Sequence, residues 1–191
     1  MRRIAIAALA ATSLAIMTAP AQAAWHSYVS HELGISFEAP GEVKSSIGLE
    51  RGEIAGPRET TLFRSTDDNI DYRVVVMNFP QAQADGADLL GEQAYDFSNN
   101  RKVLMDTFGR VEPGKEAIYG RKITIDLPNN GGRALAAFYF TKGKLYILRA
   151  TVLPANGDYA TPDAGRFIDS VTFNLDRADK SSTELKLPAP N

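Results

Sequence analysis

The chain has no cysteine and only two histidines in 191 residues. Without thiols there is no disulfide, no thiolate nucleophile, no cysteine-ligated metal and no acylated-cysteine anchor, so packing has to supply the stability. A three-histidine zinc site within one chain is excluded too. His26 and His31 lie five positions apart, and on an extended strand an odd spacing puts them on opposite faces, where they cannot grip one ion. Clustered cations are also missing. Acidic and basic residues are interspersed and the formal net charge is −2, which argues against nucleic acid and against a basic membrane-surface helix. The chain contains no G-x-S-x-G elbow, no S-x-x-K pair and no GxxxxGK phosphate cradle. The common ways of activating a hydroxyl or gripping phosphate are therefore not visible, and no cofactor is expected.

What is present begins with an address. Arg2 and Arg3 precede an apolar run from Ile4 to Met17, and Ala21-Gln22-Ala23 follows. The run is too short for the roughly 20 apolar residues of a membrane span but fits the core of a secretory leader. Residues 1–23 are thus expected to be a signal peptide, with the mature protein periplasmic or secreted. Loss of the two leader arginines takes the formal charge from −2 to −4 and leaves 168 residues, the size of one domain with one core. That domain is expected over 24–175, followed by a polar, flexible tail over 176–191 that carries Leu187-Pro188-Ala189-Pro190 near its end.

Strand-like alternation opens the mature chain. Ile35 and Phe37 alternate with Ser36 and Glu38 before Pro40-Gly41, and further strands are predicted over 46–54, 59–65 and 72–79. From Asp85 apolar residues recur at three and four: Leu90, Ala94, Phe97, Leu104 and Phe108 predict one long helix, with Asp85 or Asp88 as cap and Gly109 as its stop. Asn129-Asn130-Gly131-Gly132 between apolar runs predicts a hairpin. Centred on Asn130-Gly131, it sets Ile123 opposite Phe138 and Lys122 opposite Tyr139. A second turn at Lys142-Gly143 sets Ile147 opposite Phe138, Tyr146 opposite Tyr139 and Arg149 opposite Ala136. Both faces of this meander are largely apolar, so each needs a cover. The long helix serves one face. The other falls to a second helix opened by Thr161 and Pro162, bearing Ala164, Phe167 and Ile168, with a closing strand over 171–175. The expected class is α+β, a central antiparallel sheet sandwiched by helices.

Few residues stand out for chemistry. Arg149 sits on an otherwise apolar face, where an arginine needs a partner, an exit to water or an anion to hold. Tyr139, Tyr146 and Lys122 share the opposite face, and two aromatic rings beside one cation suit a ligand or a partner protein, though ordinary core packing is the stronger expectation for the tyrosines. Asp67, Asn69 and Asp71 sit at alternate positions as the first three ligands of a calcium loop do, and Asp67, Asp68 and Asp71 are the candidate ion ligands of this acidic turn. Tyr72 stands where the bend needs glycine, and Asn78 where a bidentate carboxylate belongs, so a metal is not expected there.

One further signal is the run Tyr28-Val29-Ser30-His31-Glu32-Leu33-Gly34-Ile35-Ser36-Phe37-Glu38-Ala39-Pro40, followed by a long helix, a meander and Arg166-Phe167-Ile168-Asp169-Ser170-Val171-Thr172-Phe173. This arrangement resembles the PsbP-like fold, found in an extrinsic photosystem II subunit, a Ran-binding import factor and exported bacterial proteins. The resemblance implies a central antiparallel sheet between helices and members that bind or assist other proteins. It transfers no site residue: Gly41-Glu42-Val43 follows Pro40 where the family often has a tryptophan. The sequence therefore leads to an exported, non-catalytic binding or accessory module for an envelope protein or small ligand, with no membrane anchor. An envelope hydrolase using carboxylates brought together by folding, or a divalent-ion binder, are the competing expectations.

Overall fold

Short alternating segments joined by tight turns can satisfy their backbone groups only by pairing with neighbours, and this chain does so in two sheets. A computed structural model describes residues 24–52, 56–67, 69–79, 86–111, 117–154 and 162–188; the expected leader, 1–23, and the Thr161 cap lie outside them. In chain order the strands are β1 (Trp25–Ser30), β2 (Ile35–Pro40), β3 (Lys44–Gly52), β4 (Gly56–Asp67) and β5 (Ile70–Asn78). Helix α1 (Ala87–Ser98) follows, then β6 (Lys102–Val111), β7 (Ile118–Asp126), β8 (Arg133–Thr141), β9 (Lys144–Val152), helix α2 (Pro162–Asp169) and β10 (Thr183–Glu184). Among the described residues, seven strands form one sheet in the order β3-β4-β5-β9-β8-β7-β6, antiparallel throughout, and β10-β1-β2 form a small second sheet.

The β8–β9 register is the one the Lys142-Gly143 turn predicts: Tyr139 faces Tyr146, Phe138 faces Ile147 and Ala136 faces Arg149. Both turn residues have positive φ, as a two-residue hairpin of this twist requires. The β7–β8 pairing differs by two positions, with Ile123 facing Ala136 and Lys122 facing Ala137. The cause is local: Asn129 and Asn130, not Gly131, take the left-handed conformation, and Gly132 closes the loop by accepting from Leu127 N–H at 2.8 Å. A shift of two leaves every side chain on its expected face.

The long helix predicted from Asp85 to Phe108 is two elements. Asn99 N–H donates to Tyr95 O to end α1, Asn100 is left-handed at φ 57°, and from Lys102 the chain is β6. Leu104 and Phe108 fit a helical spacing, but Val103 and Thr107 are β-branched and two consecutive asparagines offer a turn. A bulge at Leu104 then hides the period of two. Gly109 is no helix stop; it lies within the strand against the Lys122 side chain.

One face of the large sheet, here the α1 face, carries Ile123, Ile125, Ala134, Ala136 and Phe138 beneath Ala94 and Phe97 of α1, while Leu89 packs with Met77, Phe140 and Leu145. The other, the α2 face, buries Tyr72, Val74, Tyr139, Tyr146 and Leu148 under Phe167 of α2 and Phe37 of β2. Its cover is thus a helix together with the small sheet. The expected closing strand reduces to one bridge, Thr172 to Ser36. Within the expected flexible tail, the described residues 183–185 are docked: β10 pairs in parallel with β1, and Leu185 is buried and donates its N–H to Val29 O at 2.7 Å. Burying one leucine side chain contributes roughly 1.5–3 kcal/mol, which offsets part of the ordering cost that a polar composition alone suggests cannot be met.

Candidate functional site

The α1 face is not uniform. Helix α1 packs on β7 and β8, and beyond its end the register places Lys44, Arg64, Arg73 and Arg149 directly opposite one another on the adjacent strands β3, β4, β5 and β9. Opposed residues share a face, so these four cations form one row, about 14 Å long at ordinary strand spacing. Continuing the same row onto β8 and β7 gives Ala136 and Ile123, which lie under the helix. One ladder therefore runs from a charged half into an apolar half.

Like charges directly opposed on a sheet are destabilising, and the local structure shows how the cost is limited. Asp71, one row along and mostly buried, accepts from Arg64 Nε through Oδ1 and from Arg73 Nε through Oδ2, both at 2.5 Å. Arg149 Nε donates to Thr151 Oγ1 at 3.2 Å, and its guanidinium lies 5.7 Å from the Phe97 ring centroid at the end of α1. Arg101, just past that end, donates to the carbonyls of Asp96 and Phe97 and sits 6.0 Å from the same ring. These contacts orient the cations, and Asp71 is shared between two of them, Arg64 and Arg73. The Arg64 and Arg73 side chains keep 52% and 40% of their surface in solvent, which leaves them available to an anion.

The structure puts the other nominated residues elsewhere. Tyr139 and Tyr146 are wholly buried on the α2 face, each edge-on to Phe173. Tyr146 donates its hydroxyl to Leu33 O at 2.7 Å, whereas the Tyr139 hydroxyl has no hydrogen-bond partner among the described residues. Burial pushes both phenols up to about 12, with the nearby Asp169 charge adding to the effect at Tyr139. Gly120 makes room for this ring: a Cβ there would stand 2.3 Å from Tyr139 Cδ1. Lys122 is on the same face, holding Asp169 at 2.5 Å. The tyrosine pair is thus core, and presents no aromatic surface beside Lys122.

The acidic turn does not converge either. Asp71 belongs to the α1 face; Asp67 pairs with the buried Ile70 and so lies on the other; Asp68 lies outside the described residues. Among the described residues no three metal-ligating side chains cluster. Asp71, Asp106, Asp126, Asp169 and Glu38 each pair with a cation. A recess between β2, β4, β5 and α2, lined by Phe37, Phe63, Tyr72 and Phe167, has no room for even a water molecule, so it is no small-molecule site.

Of the row, sequence reading found Arg149 and missed Lys44, Arg64 and Arg73. The turn around Asp68-Asn69 was a usable signal for part of it, because a two-residue hairpin there sets Arg64 opposite Arg73. The Arg73–Arg149 pairing joins strands distant in sequence and left no local trace.

No family model matches the chain, and no curated protein aligns with it. Among solved structures it is similar to the solution structure of cyanobacterial PsbP (CyanoP) from Synechocystis sp. PCC 6803, at 14% identity, over 78% of this chain and 92% of that one, with a TM-score of 0.50. The fold is PsbP-like. No helix among the described residues is long and apolar enough to cross a membrane.

Proposed function

We propose that this chain is an exported, non-catalytic binding module that holds an acidic protein partner across the basic row of its α1 face. The observation that carries this reading is the register itself, which sets four cations side by side on neighbouring strands in a protein of net negative charge. Such a row costs stability in the free molecule, and an anionic partner removes that cost on binding. A row about 14 Å long spans several residues of an extended segment and so suits the carboxylates of a protein partner. The export reading rests on the leader expected over 1–23, and the absence of activation motifs supports binding over catalysis.

The test is a titration of a labelled glutamate-rich peptide against the wild type and the Arg64→Ala/Arg73→Ala variant. The expected result is binding that weakens with salt and by at least about tenfold in the variant, at unchanged circular dichroism. Equal affinity for both proteins refutes the row as the site. Binding to vesicles of anionic lipid without binding to the peptide refutes the protein partner.

A further inference from the structure

Strand β6 is one of the two edges of the large sheet, and among the described residues it pairs with β7 only. It also carries an unusual share of uncovered apolar surface. Of the eight large apolar side chains exposed among the described residues, Val103, Leu104, Met105 and Phe108 belong to this one strand, and Tyr119 lies beside it on β7. Phe108 is 88% exposed. An edge with these properties is a template for another strand, and proteins ordinarily blunt such edges. Here the Leu104 bulge interrupts only one end, leaving a regular run from Met105 to Val111.

That run is self-complementary. Read outward from Phe108, it has Thr107 and Gly109 at one step, Asp106 and Arg110 at two, and Met105 and Val111 at three. An antiparallel pairing of β6 with β6 of a second copy, centred on Phe108, therefore sets Phe108 against Phe108, Asp106 against Arg110 twice, Thr107 against Gly109 twice and Met105 against Val111 twice. Aromatic and opposite-charge pairs directly across an antiparallel ladder are the favourable ones, and a two-fold axis makes each contact count twice. Asp106 already accepts from Arg121 at 2.7 Å and 2.6 Å, and no acidic side chain among the described residues ion-pairs with Arg110. The second copy's Arg110 would complete an Arg–Asp–Arg bridge of the kind Arg64, Asp71 and Arg73 form within one molecule. Gly109 lies beneath the Lys122 side chain and adds no Cβ to crowd Thr107.

We infer that β6 is a homodimerisation edge, and that two copies join through Met105–Val111 into one continuous sheet with Phe108 on the two-fold axis. The axis is perpendicular to the sheet, so both basic rows face the same side. The inference stands on the palindrome and the edge position, independently of what the rows bind.

Sedimentation velocity up to about 100 µM, where weak interfaces populate, is expected to show a dimer for the wild type. Arg110→Glu, which sets like charges opposite Asp106, is expected to weaken it at least about tenfold. The register is read separately, by oxidation of single-cysteine variants in a chain that otherwise has no cysteine. Phe108→Cys is expected to cross-link to itself, because its Cα atoms would sit within disulfide reach. Met105→Cys, displaced by six positions from its copy, is expected not to. A wild type that stays monomeric across the range, an Arg110→Glu dimer as tight as the wild type, or Met105→Cys cross-linking as fast as Phe108→Cys would each overturn the proposal.

Discussion

The two faces of β5 and β9 are built from the same strands by the same alternation and have different fates. On the α2 face, Tyr72, Val74, Tyr146, Leu148 and Ala150 are buried under α2 and the small sheet. On the α1 face, one residue out of step, Met77 and Leu145 pack with Leu89 of α1, while Asp71, Arg73, Arg149 and Thr151 lie beyond the helix, with 40% of the Arg73 side chain in solvent. Burial on one side supplies stability in proportion to apolar area. The other side spends a little of it on opposed like charges. The charged half of that face is the better place to seek binding, because its residue types are not explained by packing under the helix.

The contrast can be broken or sharpened in three ways. The largest effect is expected at alkaline pH. Tyr139 and Tyr146 are held neutral by burial with pKa values pushed up to about 12, while in the unfolded chain they ionise near 10. A folded-state pKa above the unfolded one means stability is intact below pH 10 and falls as pH rises through 10 to 12, by on the order of 2–3 kcal/mol per tyrosine. Urea midpoints from pH 9 to 11.5 check this, and a Tyr139→Phe/Tyr146→Phe variant should flatten the fall. Next in size is the difference between the two hydroxyls. Tyr146→Phe should lose roughly 1 kcal/mol with its bond to Leu33 O, whereas Tyr139→Phe should be neutral or slightly stabilising, since its hydroxyl has no partner among the described residues. Equal urea midpoints for the two variants would contradict this packing. The smallest effect belongs to the charged half of the α1 face: Arg73→Thr should leave stability within roughly 0.5 kcal/mol of wild type, because Asp71 keeps its pair with Arg64 and the bond lost is balanced by two like-charge oppositions relieved. A loss of several kcal/mol would make Arg73 structural and weaken the case for a binding row.

Legibility followed the range of the interactions. The Lys142-Gly143 turn predicted the β8–β9 register residue for residue, including Arg149 opposite Ala136. Asn129-Asn130-Gly131-Gly132 predicted a hairpin but not which residues turn, and the resulting offset of two spared the faces. Helix and strand were confused over 102–108 because a bulge mixes the two periodicities. Thr183–Glu184 looked like free chain because its attachment is to β1, more than 150 positions away.

What the sequence by itself determined was therefore local: the turns, the α+β composition, the apolar character of both meander faces and the presence of an unexplained arginine on one of them. Which strands lie side by side at a distance was decided only in the tertiary structure, because pairing β5 with β9 or β10 with β1 depends on backbone groups and packing that leave no periodic mark on either segment. The basic row and the exposed palindromic edge both come from that second kind of information. Each is a juxtaposition of ordinary residues whose chemistry exists only once the sheet has brought them into line or left them uncovered.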